Sequence, residues 1–240
     1  MRCIVLPGMD GTGELLDGFI AAMKPGFETT VIAYPRDRAL GYDALVEFVR
    51  PRLPVDRPYL LLGESFSGPI AIRLAAQRPP GLAGLVLAAT FARAPRPPWS
   101  PLGSSALSPL APLLPLTRLL AGWAALVMLG RWRSRQWVAR LRSVLGSLDP
   151  VVMRHRLSEV ARVDVSAALA ATVCPLLYLR ATRDRLVSAD SWRLIEKARP
   201  DAQCVGLDAP HFLLQARADA AAGAIERWWF SEAKAKANPP

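Results

Sequence analysis

The stretch Tyr59-Leu60-Leu61-Leu62-Gly63-Glu64-Ser65-Phe66-Ser67-Gly68-Pro69-Ile70-Ala71 decides how this chain folds. Its apolar run reads as a strand buried on both faces. With a single serine at the join, it passes into a pattern that reads as a helix over Ser67–Gln77. A turn that sharp forces Ser65 into a strained backbone and lifts its hydroxyl above the end of the strand. The turn also presses strand and helix backbones together, so small residues must flank the serine. Gly63 meets that need on one side; Ser67, followed by Gly68, stands where a second glycine is expected. A serine at a helix start is also an ordinary cap. This stretch alone leaves Ser65 open between cap and nucleophile.

Outward from it, short Val-, Ile- and Leu-rich runs bounded by Gly and Pro read as strands: Cys3–Pro7, Thr30–Tyr34, Tyr59–Gly63, Gly84–Ala88, Leu176–Arg180 and Gln203–Leu207. Amphipathic patterns between them read as helices over Glu14–Met23, Tyr42–Leu53, Ala189–Ala198 and Phe212–Trp229. Strand alternating with helix specifies an α/β fold, a mostly parallel, doubly wound sheet with right-handed crossovers. Ligands of such sheets bind at the carboxyl ends of the strands. The alternation fails once, where Pro95, Pro97, Pro98, Pro101, Pro109, Pro112 and Pro115 precede an apolar, Arg-rich helical stretch. We read residues 93–163 as an inserted helical lid, residues 1–92 and 164–230 as the core domain, and 231–240 as a tail.

A serine nucleophile needs a base within hydrogen-bond reach, which histidine supplies near neutral pH. The chain has two histidines. His155 falls in the insert, whereas His211 follows the last strand, on the loop facing the serine. Asp184 follows the preceding strand and suits the third position, orienting the imidazole, with Asp208 in reserve. The order Ser65, Asp184, His211 is that of one hydrolase fold among several that use such a constellation. The loop Pro7-Gly8-Met9-Asp10-Gly11-Thr12-Gly13 after the first strand lets backbone N–H groups converge on an oxyanion. Met9 and Phe66 are the candidate donors. Its glycines lack G-x-G-x-x-G spacing, and the second strand ends in Ala33-Tyr34-Pro35 without an acid for a ribose. The reading therefore calls for no dinucleotide, no other cofactor and no metal.

On these residues the chain resembles the α/β-hydrolase superfamily along nearly its whole length, and within it small bacterial carboxylesterases. The pimeloyl-carrier-protein methyl ester esterases are more distant relatives. The resemblance implies cleavage of a carboxylic ester through an acyl-enzyme, with a lid that shapes the acyl pocket. Relatives often open the oxyanion loop with His-Gly; here it is Pro7-Gly8. The resemblance aligns the first strand with the third strand of such relatives, so their N-terminal antiparallel hairpin is not expected here. Gly8, Leu119 and Trp123 are the expected substrate contacts. Acyl transfer or carrier-protein (thio)ester cleavage could use the same residues, and a non-catalytic binding protein could keep the fold.

Composition bounds the partners. With 52% hydrophobic residues the chain can bury a large core. Its net charge of +10 is concentrated: residues 93–163 hold eleven arginines against Asp149 and Glu159. Codon bias toward arginine is one source of such an excess. A docking face for an acidic acyl-carrier protein or an anionic membrane surface is the other. No recognition motif accompanies the charge to suggest nucleic acid. Cys3, Cys174 and Cys204 lie in or beside strands and read as buried thiols of a reducing compartment, the cytoplasm.

Overall fold

The computed structural model describes residues 1–24, 26–95 and 125–237. Six strands form one sheet: β1 (Arg2–Leu6), β2 (Glu28–Val31), β3 (Tyr59–Glu64), β4 (Leu82–Ala88), β5 (Leu176–Ala181) and β6 (Gln203–Leu207). Their order is β2-β1-β3-β4-β5-β6, and each pairing is parallel. Helices α1 (Asp17–Met23), α2 (Tyr42–Val49) and α3 (Gly68–Ala76) make the first three crossovers. After β4 come α4 (Arg135–Gly146), α5 (Pro150–Arg162) and α6 (Ser166–Ala170), and α7 (Ala189–Ala198) joins β5 to β6. The chain then continues through α8 (Leu213–Ala216) and α9 (Ala218–Ala237).

The continuous apolar strands are explained by two cores. Leu61, Leu85 and Tyr178 turn to one face, packed with Leu45, Ile70, Leu74, Leu169 and Ile195 of α2, α3, α6 and α7. Leu60, Leu62, Val86 and Leu177 turn to the other, against Phe19 and Met23 of α1 and Ile225 and Trp228 of α9. Alternate residues of β3 thus serve opposite cores, and every one of its six residues is buried. Burying one such Leu contributes about 1.5–3 kcal/mol, so a polar residue in place of Leu60, Leu61 or Leu62 would be costly.

The sheet order reverses between β1 and β3, and the carboxyl ends of strands at such a switch are where sheets of this kind bind ligands. Register places Leu6 beside Gly63 and Gly63 beside Leu87. The loop after β1 and the turn after β3 therefore emerge side by side.

Three expectations are corrected. The second strand lies at Glu28–Val31, because it pairs with Arg2–Val5; Ile32 and Tyr34 are buried beyond the ladder, where Tyr34 N–H donates to Gly11 C=O at 2.7 Å. The last helical pattern breaks at Arg217, whose φ of −135° ends α8. Cys3 is buried as expected, but Cys174 is only half-buried and Cys204 is exposed. Cys204 lies on β6, the sheet edge, where three of the five residues are exposed.

Between β4 and β5 the chain leaves and returns at one point. Arg93 bridges Asp164 in antiparallel fashion, Ala94 N–H donates to Val163 C=O at 2.8 Å, and Val165 N–H donates to Ala92 C=O at 2.7 Å. Residues 125–129 are helical. Ala125 and Leu129 pack with Leu141 and Val144 of α4 and with Leu15, next to Phe212. Among the described residues, no helix is long and apolar enough to cross a membrane.

Candidate active site

Ser65 carries the strain expected of the turn: its φ is +48°, in the region disfavoured for a residue with a Cβ. The surroundings hold it there. A Cβ on Gly63 would lie 2.8 Å from that of Ala71, and one on Gly68 would lie 2.0 Å from Thr90 Oγ1, so strand, turn and helix close together only over glycine. Thr90 donates its hydroxyl to the Ser65 carbonyl, and the Thr90 carbonyl in turn accepts from Tyr178 Oη at 2.8 Å.

The structure brings together the three residues that the sequence reading selected. Ser65 Oγ lies 2.8 Å from His211 Nε2, and His211 Nδ1 lies 2.8 Å from Asp184 Oδ2. Asp184 is fixed from behind, its Oδ1 accepting the N–H groups of Leu186 at 2.8 Å and Val187 at 2.9 Å. Both partners are shielded, with 5% of the His211 side chain and 3% of the Asp184 side chain exposed. A carboxylate at Nδ1 places the ring proton there and leaves Nε2 to accept from the serine. Burial pulls the His211 pKa down, but the charge and hydrogen bond of Asp184, with the charge of Glu64, outweigh it and leave the net shift upward. Asp208, the reserve, is instead exposed and paired with Arg131 and Arg183. His155 is half-buried on α5.

The loop after β1 is held peptide by peptide. Pro7 C=O accepts the Ser67 hydroxyl, so Tyr34 Oη, 2.6 Å from Ser67 Oγ, must be the donor in that second contact. Serine where a glycine was expected is thus a tie between elbow and loop. Gly8 N–H donates to Glu64 Oε2 at 3.1 Å, so the Gly8 amide is engaged by protein rather than offered to a substrate. Gly8 C=O accepts from Gly11 N–H at 3.0 Å. That bond sets the plane of the next peptide and turns the Met9 N–H away from it. Among the described residues, neither the Met9 nor the Phe66 N–H has an acceptor. Arg156 of α5 donates to Met9 C=O and Asp10 C=O, both at 2.8 Å, and to Pro35 C=O at 3.0 Å.

Sequence reasoning passed over Arg156 and Glu64. Arg156 counted among the basic surface residues, yet 1% of it is exposed. The available signal was its place on the buried stripe of α5 with Val152 and Met153, where an arginine must find acceptors. Arg131 and Arg140 are likewise engaged, with Asp208 and Asp17. Arg133, Arg135 and Arg142 are exposed, with no ion pair among the described residues. Leu119 and Trp123 lie outside the described residues. Among the described residues, no group of three or more His, Cys, Asp or Glu is placed to hold a metal ion.

A parallel sheet with a strained serine after β3, an acid after β5 and a histidine after β6 defines the α/β-hydrolase class. Residues 39–209 match the serine aminopeptidase S33 family, and the chain belongs to that family. The matched span contains Ser65 and Asp184 and stops just short of His211. No curated protein is similar to it at a significant level. Solved structures share the fold. A hydrolase from Oleispira antarctica is 14% identical with a TM-score of 0.80, over 95% of this chain and 90% of that one. An enol-lactonase from Burkholderia xenovorans is 18% identical with a TM-score of 0.79, over 95% and 91%. A thermophilic esterase from Thermogutta terrifontis is 20% identical with a TM-score of 0.74, over 96% and 90%.

Proposed function

We propose that the protein is a serine hydrolase that cleaves carboxylic esters of small to medium acyl chains through an acyl-enzyme. One observation carries this reading: Ser65 Oγ sits 2.8 Å from His211 Nε2 while Asp184 holds the other ring nitrogen at 2.8 Å. Ser65 Oγ attacks the ester carbonyl as its proton passes to His211 Nε2. The carbonyl π electrons move onto oxygen, and the Met9 and Phe66 N–H groups receive that charge. Collapse of the tetrahedral adduct expels the alkoxide, which takes the proton from His211. Water then gives a proton to His211 and attacks the acyl-enzyme, and the returning proton frees Ser65.

Membership in a serine hydrolase family and likeness to an esterase and a lactonase support ester cleavage. The test is a panel of nitrophenyl esters of graded acyl length beside aminoacyl nitroanilides, with fluorophosphonate labelling. Esters turned over faster than anilides, with the label on Ser65, are expected. No turnover and no label would remove the reading. The exposed thiol of Cys204 suits a reducing compartment, the cytoplasm.

We further propose residues 93–163 as the lid over the acyl site. Its exposed arginines without an ion pair among the described residues, Arg133, Arg135 and Arg142, favour an acidic partner, an acyl-carrier protein or an anionic membrane surface. Carrier-bound esters should then be cleaved faster than free ones, with an advantage that shrinks as salt rises. Equal, salt-insensitive rates would exclude the carrier, and anionic vesicles that neither bind the protein nor compete with the carrier would exclude the membrane.

A further inference from the structure

Glu64, immediately before the serine, is among the described residues the one buried carboxyl that the proposed chemistry does not use. It is 5% exposed and anchored on both oxygens, Oε2 accepting Gly8 N–H at 3.1 Å and Oε1 accepting Gln215 Nε2 at 2.7 Å. These two partners belong to the two halves of the site. Gly8 precedes the Met9 amide, and Gln215 is on α8, four residues beyond His211. Glu64 is therefore a strut between the oxyanion loop and the segment that carries the base. We propose that Glu64 is a positioning residue that works in its ionised form, holding the Gly8 peptide while its charge supports the imidazolium of His211. The proposal rests on the serine-hydrolase reading and adds a second acid to that site.

An ionised carboxylate in this position is held against a gradient. Burial is the largest influence on Glu64 and pushes its pKa up; the Gln215 bond lowers it, Asp10 raises it, and His211 and the Gly8 N–H lower it, for a pKa of about 7. The charged groups facing it are Asp10, from the loop after β1, and His211, from the loop before α8. Behind these stand Arg156, on the Asp10 carbonyl, and Asp184, on the imidazole. Protonation would leave Oε2 able to accept from Gly8, but it would turn Oε1–H into a donor facing the Gln215 amide. Gln215 Oε1 has no partner among the described residues, so a turn of that amide could receive the proton. Loss of the charge would therefore disturb the base more than it would the fold.

A carboxyl whose folded-state pKa lies above its usual 4.5 stabilises the fold below 4.5, and that contribution is lost as pH rises through about 7. Glu64→Gln removes the buried charge and keeps the shape, so it should raise Tm above pH 7, with a gain that closes toward about pH 5. The same change should lower kcat about tenfold, less than the ~10²–10³-fold cost of deleting an oxyanion donor.

The decisive readout is the titration of His211 by NMR, straightforward in a chain with two histidines. In Glu64→Gln, His211 should titrate at lower pH than in the parent, and the acid limb of kcat/KM should move with it. Gln215→Met provides a second arm that does not depend on the first variant folding. It removes the donor that lowers the Glu64 pKa, so the Glu64 step in the His211 titration should move to higher pH. Unmoved His211 titrations in these variants, with Ser65 still labelled by fluorophosphonate, would reduce Glu64 to a structural contact and overturn the proposal. A parent enzyme that neither labels nor turns over would instead defeat the serine-hydrolase reading beneath it.

Discussion

Ser65→Ala is expected to lower ester turnover about 10⁶-fold in kcat and to abolish fluorophosphonate labelling, with little change in fold. The size follows from the way the three residues act as a unit. Without Oγ there is no acyl-enzyme, and His211 and Asp184 have no proton to manage. What persists is water attack assisted by the oxyanion amides and by binding, about 10³–10⁴-fold over the uncatalysed reaction. Stability should hardly move. The φ of +48° is imposed by contacts of Gly63, Gly68 and Thr90 rather than by the hydroxyl, and alanine bears the same Cβ strain as serine. The hydroxyl contributes one hydrogen bond, to His211 Nε2, worth about 1 kcal/mol. Thermal unfolding followed beside single-turnover kinetics checks both halves. A variant that keeps within tenfold of parental turnover would show that Ser65 is not the nucleophile.

The parts of the site that were legible in the sequence are those set by one element and its end. A continuous apolar strand must be covered on both faces, and Tyr59–Glu64 serves two cores. A serine between such a strand and a helix was legible as strained, and its φ of +48° bears that out; its choice between cap and nucleophile needed the partners. Loops at the carboxyl ends of parallel strands face one another, so Asp184 and His211 could be placed by strand order alone. What escaped depends on pairs of groups from separate elements. Arg156 finds its acceptors at positions 9, 10 and 35, and Glu64 finds its donors at 8 and 215. Nothing local distinguishes either residue from a solvated charge except its place on an apolar stripe. Ser67 was legible as small but not as a donor to Pro7. The errors in β2 and at Cys204 share a different cause. Edge strands are buried on one side by whatever neighbours the topology supplies, and periodicity does not reveal which strand ends at the edge.

Asp184→Asn should cost about 10⁴-fold in kcat while leaving the side chain in place, because of which oxygen does which task. Oδ1 accepts the N–H groups of Leu186 and Val187 at 2.8 and 2.9 Å, and only an oxygen can fill that position. In the variant the amide oxygen is therefore pinned there, and the NH₂ group must take the place of Oδ2, 2.8 Å from His211 Nδ1. A donor at that point obliges Nδ1 to accept, which moves the ring proton to Nε2. Nε2–H then points at Ser65 Oγ and cannot take its proton, so the base is present, correctly placed and in the wrong tautomer. The charge and hydrogen bond of Asp184 also raise the His211 pKa, so its titration should fall to lower pH. Asp184→Ala gives the contrast. It leaves the two backbone donors unsatisfied and should destabilise the fold more than asparagine does, but it imposes no tautomer on His211. If the asparagine variant retained more than about a tenth of parental kcat, the proton would not travel through His211 as proposed, and another base would have to be sought.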